Sequence, residues 1–142
     1  MQDGIEATYE TTERRLFTVG QITTATALGA PIAGCFLIAR NYRELGKVNE
    51  GRKALMWGVV STLLILWLSM LLPQSFPNSA LPVGYCFAML QLTRRLQGAA
   101  ISNHMATGGA KGSWGMTIGV GLACLAAIIL LIFGLVIFLF PD

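Results

Sequence analysis

Four polar side chains, Gln21, Thr23, Thr24 and Thr26, stand just ahead of Pro31 in an otherwise apolar stretch. A proline inside a helix removes the hydrogen bond to the carbonyl four residues back, here that of Ala27, so a kink is expected at residues 29–31. Hydroxyls and freed carbonyls beside a broken helix are the groups from which transporters build midplane solute sites. The same residues also have a simpler use, because Thr hydroxyls bond their own helix carbonyls and small residues favour close helix packing. Packing is the preferred of these two readings. The candidate polar site is therefore Gln21, Thr23, Thr24, Thr26 and Pro31.

Other chemistry is scarce. Cys35, Cys86 and Cys124 all fall inside apolar runs, where a thiol behaves as a small hydrophobe, and an odd set argues against a disulfide framework. The single histidine, His104, lies in a loop with no second ligand near it, so neither a metal nor any other cofactor is expected. The chain has no HExxH, no glycine-rich phosphate loop, no nucleophile paired with a histidine and no intramembrane carboxylate. It reads as a non-enzyme.

The elements that would hold these residues are dictated by composition. Hydrophobic residues make up 54% of the 142-residue chain and charged ones 12%, against about 25% charged in a soluble domain. Uncharged apolar runs cover residues 16–39, 54–72, 80–93 and 114–140. The first, second and fourth match the roughly 20 residues that cross a ~30 Å hydrocarbon core, and the third is short. No cleavable signal is expected, since residues 1–15 form a polar, acidic tail without a basic n-region. The expected fold is all-α: a polytopic membrane domain over 16–140, with four transmembrane helices arranged as two helical hairpins. Trp57 and Trp114 would mark the inner interface and Trp67 the outer one.

Charge sets the orientation. The net charge of +3 would suggest nucleic acid in a soluble protein, but eight of the ten Lys and Arg fall in two loops, so the expected partner is the bilayer and not nucleic acid. Arg40, Arg43, Lys47, Arg52 and Lys53 lie in the first loop; Arg94, Arg95 and Lys111 lie in the second. Both loops belong in the cytoplasm by the positive-inside rule, and four spans then put both termini outside. Arg14 and Arg15 stand against this arrangement, because they would have to be translocated with the tail.

Two patterns bear on packing. Pro31 and Cys35-Phe36 are echoed by Pro82 and Cys86-Phe87, and each proline is followed twelve positions later by an arginine, Arg43 or Arg94. The echo suggests two related hairpins and marks Pro82 as the start of the third span. In the last run Gly115, Gly119, Ala123 and Ala127 recur every four residues, a stripe along which backbones can approach closely, with the small-residue side of the first span, Ala25, Gly29 and Ala33, as its expected partner. Thr11 or Thr12 is the expected cap of the first helix, Gly46 its stop, Asn49 the cap of the second and Ser113 the cap of the fourth.

The stretch Gly-Ala-Pro-Ile-Ala-Gly-Cys-Phe-Leu-Ile-Ala-Arg-Asn-Tyr-Arg-Glu-Leu-Gly, residues 29–46, together with the loop from His104 to Trp114, resembles small uncharacterised four-helix inner-membrane proteins of proteobacteria. The resemblance implies a bacterial inner (plasma) membrane. It carries no activity, and it makes Asn41, Tyr42 and His104, beside Arg40 and Arg43, candidates for cytoplasmic loop contacts. The expected function is that of a non-enzymatic subunit or assembly partner, in a homo-oligomer or with other membrane subunits. The alternative is a small transporter or channel with its polar site at the Gln21 to Pro31 kink.

Overall fold

The computed structural model describes residues 14–141. Most of the acidic tail, with the caps expected at Thr11 or Thr12, lies outside the described residues. Along the chain come β1 (Arg15–Leu16), α1 (Val19–Glu44), α2 (Val48–Leu71), α3 (Ala80–Ala106), β2 (Ala110–Lys111) and α4 (Trp114–Leu139). The fold is all-α but for the two short strands. Three helices, α1, α2 and α4, are long and apolar enough to cross a membrane.

Thr18 starts α1 with a reciprocal cap: its hydroxyl accepts from the Gln21 N–H, and the Gln21 side chain accepts from the Thr18 N–H. The helix then breaks at Gly29 (φ −121°, ψ 25°) and Ala30 (φ 61°, ψ −179°). The break falls where Pro31 places it, since a residue before proline is disfavoured in the α region. It is far more than a kink. In a straight helix Phe17 and Asn41 would stand about 36 Å apart at 1.5 Å per residue, whereas the Phe17 N–H donates to Asn41 Oδ1 at 2.8 Å. Thus α1 is a helical hairpin, with residues 19–28 as its first arm and 31–44 as its returning arm. The arms are about 15 and 21 Å long, so the first run does not cross as a single rod.

Arm-to-arm contact is close because small residues line it. A Cβ on Gly34 would collide with Thr26 Oγ1 and, at 2.9 Å, with Met89 Cε of α3. Ile22, Ala25, Ala33, Leu37 and Ile38 form the buried core between the arms and their neighbours.

Every substantial helix–helix contact involves α1. On the returning arm, α2 packs through Gly58, where an added Cβ would lie 2.5 Å from Cys35 Cβ, and through Thr62, whose hydroxyl accepts from the Ile32 N–H at 3.0 Å. That bond satisfies a donor freed by the break. α4 packs on the tip of the hairpin: a Cβ on Gly29 would lie 2.5 Å from the Gly121 carbonyl, and one on Gly121 would lie 2.8 Å from Leu28 Cβ. The architecture is a central hairpin flanked by three long helices, and the expected pair of side-by-side hairpins is not what these contacts describe.

α3 extends well beyond its apolar run. It has 27 residues and passes Arg94 and Arg95, which stay exposed, while Thr93, Gln97 and Ile101 are buried and Gln97 bonds α1. Pro82 lies in its first turn, where proline is tolerated. Gly46 (φ 76°) follows the end of α1 as expected. Lys47, rather than Asn49, precedes α2, and Ser113 precedes α4 without a side-chain capping bond.

Candidate functional site

Three primary amides gather at the open end of the hairpin, all almost fully buried: Gln21, Asn41 and Gln97. Asn41 Nδ2 donates to the Phe17 carbonyl (2.9 Å) and to Gln97 Oε1 (3.1 Å), and Asn41 Oδ1 accepts the Phe17 N–H. Gln97 Nε2 completes the chain by donating to the Ile38 carbonyl at 3.0 Å. One side chain therefore ties the first arm, the returning arm and α3 together.

Gln21 extends the lock toward α4. Its Nε2 donates to the Gly112 carbonyl at 2.7 Å, while the Gly112 N–H donates to the Leu16 carbonyl at 2.9 Å. Beside these bonds β1 pairs in parallel with β2, Arg15 opposite Ala110 and Leu16 opposite Lys111. Gly112 can hold this place because the Phe17 ring lies where its Cβ would be. His104 braces the same loop, with Nε2 3.2 Å from the Ala110 carbonyl and its ring beneath Gly109. Each buried amide is bonded, and among the described residues no buried side-chain polar atom lacks a partner. The lock is structural: a buried polar network of this kind specifies one arrangement when fully satisfied.

The residues expected near the kink are distributed differently. Thr23, Thr24 and Thr26 bond the carbonyls of Val19, Gly20 and Ile22, each four residues back at 2.9–3.0 Å, so their hydroxyls serve their own helix. Gln21 sits at the start of the first arm, two to three turns from Pro31 at the tip, with both ends of its amide in use. Thr18 with Gln21, and Asn41 with Gln97, form two hydrogen-bonded groups that adjoin through the Phe17–Thr18 backbone; Thr23, Thr24, Thr26 and Pro31 belong to neither.

Of the residues expected at the inner loops, Arg40 and Arg43 are exposed, Tyr42 and His104 are half-buried and Asn41 is fully buried. Asn41 thus faces the core rather than a loop partner. Gln97, Phe17 and Gly112 were not singled out by the sequence; the available signal was Gln97 itself, a polar residue four positions before the apolar Ile101 on a helix that could continue past Arg95.

The glycine and alanine stripe of α4 faces away from the chain. Gly115, Gly119, Ala123 and Ala127 are all exposed, and nothing stands within 4 Å of a Cβ built on Gly119. Contact with α1 uses the opposite face, Thr117, Gly121 and Cys124. Beyond that contact the C-terminal part of α4, from Leu130 to Leu139, is exposed and, Gly134 apart, made of large apolar residues.

Two grooves flank α2. One, of about 570 Å³, lies between α2 and α3 over the returning arm and reaches from Pro31 and Ile65 to Tyr42, Glu50 and Lys53. Glu50 and Lys53 pair at 3.0 Å on the exposed first turns of α2. The other, of about 820 Å³, lies between α1 and α2 on the opposite side. The chain matches no protein-family model, no curated protein and no solved structure.

Proposed function

We propose that the chain is a non-enzymatic integral membrane protein, a subunit or assembly partner that inserts an N-terminal re-entrant hairpin and three crossing helices into a bacterial inner membrane. The observation that carries the reading is the two-faced α4. Its Gly121 face is filled by the hairpin, and its Gly119 face is left open to a second helix. A small-residue face turned outward in lipid is suited to close helix association, within a homo-oligomer or with another membrane subunit.

The lock supports a specific topology. Phe17 and Asn41 stand at one level, and Arg15 stands beside Ala110 and Lys111, so residues 14–17 share a side with both basic loops. All ten Lys and Arg then lie on that side, which the positive-inside rule assigns to the cytoplasm. The N-terminal end is inside and the C-terminal end outside, in place of the two outer termini expected from four straight spans. Arg14 and Arg15 cease to be exceptions. The third crossing is α3, whose arginines reach the interface from the bundle's inner end.

The transporter or channel reading has less support, because each polar side chain from Gln21 to Thr26 is bonded within the fold. The test is association in mild detergent. Gly119→Ile should shift the protein to a smaller species while leaving its thermal midpoint near that of the parent chain. An unchanged oligomer size, or a parent chain that is already monomeric and recovers no partner, would sink the proposal.

A further inference from the structure

The groove between the returning arm of α1 and the start of α2 has the order of an amphiphile. Phe36 and Leu55 line its deeper part, Ala39 and Gly51 its floor, and Arg40, Arg43 and Arg52 its inner end. The floor is shallow because the backbones are close, a Cβ on Gly51 coming 2.9 Å from the Ala39 carbonyl. Arg40 and Arg43 are one turn apart on the arm, and Arg52 faces them from α2. Glu44 also lines the mouth, which leaves an excess of two positive charges there. The only ion pair among the described residues is Lys53 with Glu50, so no carboxylate of the described residues engages the three guanidinium groups.

We propose that this groove is a binding site for an anionic phospholipid. Its phosphate is held by Arg40, Arg43 and Arg52, and an acyl chain lies along Ala39, Leu55 and Phe36. Guanidinium groups suit the target because their planar donor forks match phosphate oxygens in pairs. Basic pockets between membrane helices on the cytoplasmic side are suited to such headgroups. An apolar wall continuing from the charged mouth favours a lipid over free phosphate, which would leave that wall unused. The inference rests on the membrane-embedded reading but not on oligomer formation.

Native mass spectrometry of the full chain in detergent, titrated with phosphatidylglycerol, phosphatidylcholine or inorganic phosphate, tests it. Phosphatidylglycerol should bind with one strongly retained copy per chain and phosphatidylcholine much more weakly. Changing Arg40, Arg43 and Arg52 together to Gln should weaken the anionic lipid by about a hundredfold. Arg94→Gln with Arg95→Gln, two exposed arginines elsewhere on the inner rim, should leave it unchanged. The three groove arginines are exposed, so the triple variant should keep its helicity; Leu55→Trp, which fills the apolar half without removing charge, provides an independent block. Equal retention of both lipids, equal loss in the control pair, or inorganic phosphate displacing the lipid at equal concentration would overturn the site. Gly119→Ile should bind lipid as the parent does, which separates failure of this site from failure of the assembly reading.

Discussion

The Asn41 side-chain amide bonds both the N–H and the C=O of Phe17, a residue 24 positions earlier, at 2.8 and 2.9 Å. The pairing imitates one rung of a β-ladder and closes the hairpin at its open end. Removing it by Asn41→Ala leaves both backbone groups of Phe17 and the Gln97 Oε1 without their partner in a buried site. The expected loss is about 2–4 kcal/mol, read as a lowered thermal midpoint in detergent. Asn41→Asp should be worse than Asn41→Ala at neutral pH, since it also buries a carboxylate and turns a donor toward the Phe17 carbonyl into an acceptor. Stability equal to the parent in either variant would show that the lock contributes nothing.

Strain at the hairpin tip makes a prediction of opposite sign. Ala30 has φ 61° and ψ −179°, a region essentially reserved for glycine. Ala30→Gly should relieve about 1–3 kcal/mol of strain against an entropic cost of about 0.5–1 kcal/mol, a net gain of about 1 kcal/mol. Ala30→Val should destabilise. A lowered midpoint in Ala30→Gly would refute the assignment of strain.

Close approach distinguishes glycines that the sequence treats alike. Gly34→Ala drives a methyl into Thr26 Oγ1 and Met89 Cε and should cost about 1–3 kcal/mol. Gly119→Ala meets open space and should leave the midpoint unchanged within measurement. If the two variants lose stability equally, the inward face of the hairpin has been misassigned.

Much of the fold was legible because apolar runs and breakers act locally. Pro31 marks the break in α1, Gly46 its end and Pro82 the first turn of α3, each from backbone sterics of the residue itself. The degree of the break was not legible: a mid-helix proline gives a modest kink or a full reversal, and what decides between them is the long-range pairing of Asn41 with Phe17 and Gln97. An apolar run of 24 residues suits one crossing or two shorter arms equally well. The clue was in the charges, since Arg14 and Arg15 fit the positive-inside rule only if the first run returns to its starting side. The α4 stripe shows the same division. Its four-residue spacing was visible, but that it faces away from α1 depends on Gly121 meeting Leu28, a contact no spacing announces.

The reversal can be tested directly through the side on which each segment lies. In a background with Cys35, Cys86 and Cys124 changed to Ala, single cysteines are placed at Arg14, Lys47 and Asn78 and probed with a membrane-impermeant thiol reagent in oriented inner-membrane vesicles. With a hairpin, Arg14→Cys and Lys47→Cys react from the same face, because Phe17 is bonded to Asn41 near the end of α1, and Asn78→Cys reacts from the other. With a straight first span, Arg14→Cys would instead react together with Asn78→Cys. The two outcomes are mutually exclusive. Cysteines at Thr23 and Thr26 add a depth marker, since the first arm carries them about 7 and 12 Å from Thr18 toward the tip at 1.5 Å per residue. Both should be protected from the reagent on either face, because α1 is packed between α2, α3 and α4. Labelling of both from the outer face, with Arg14→Cys also outer, would establish a crossing span and remove the re-entrant hairpin.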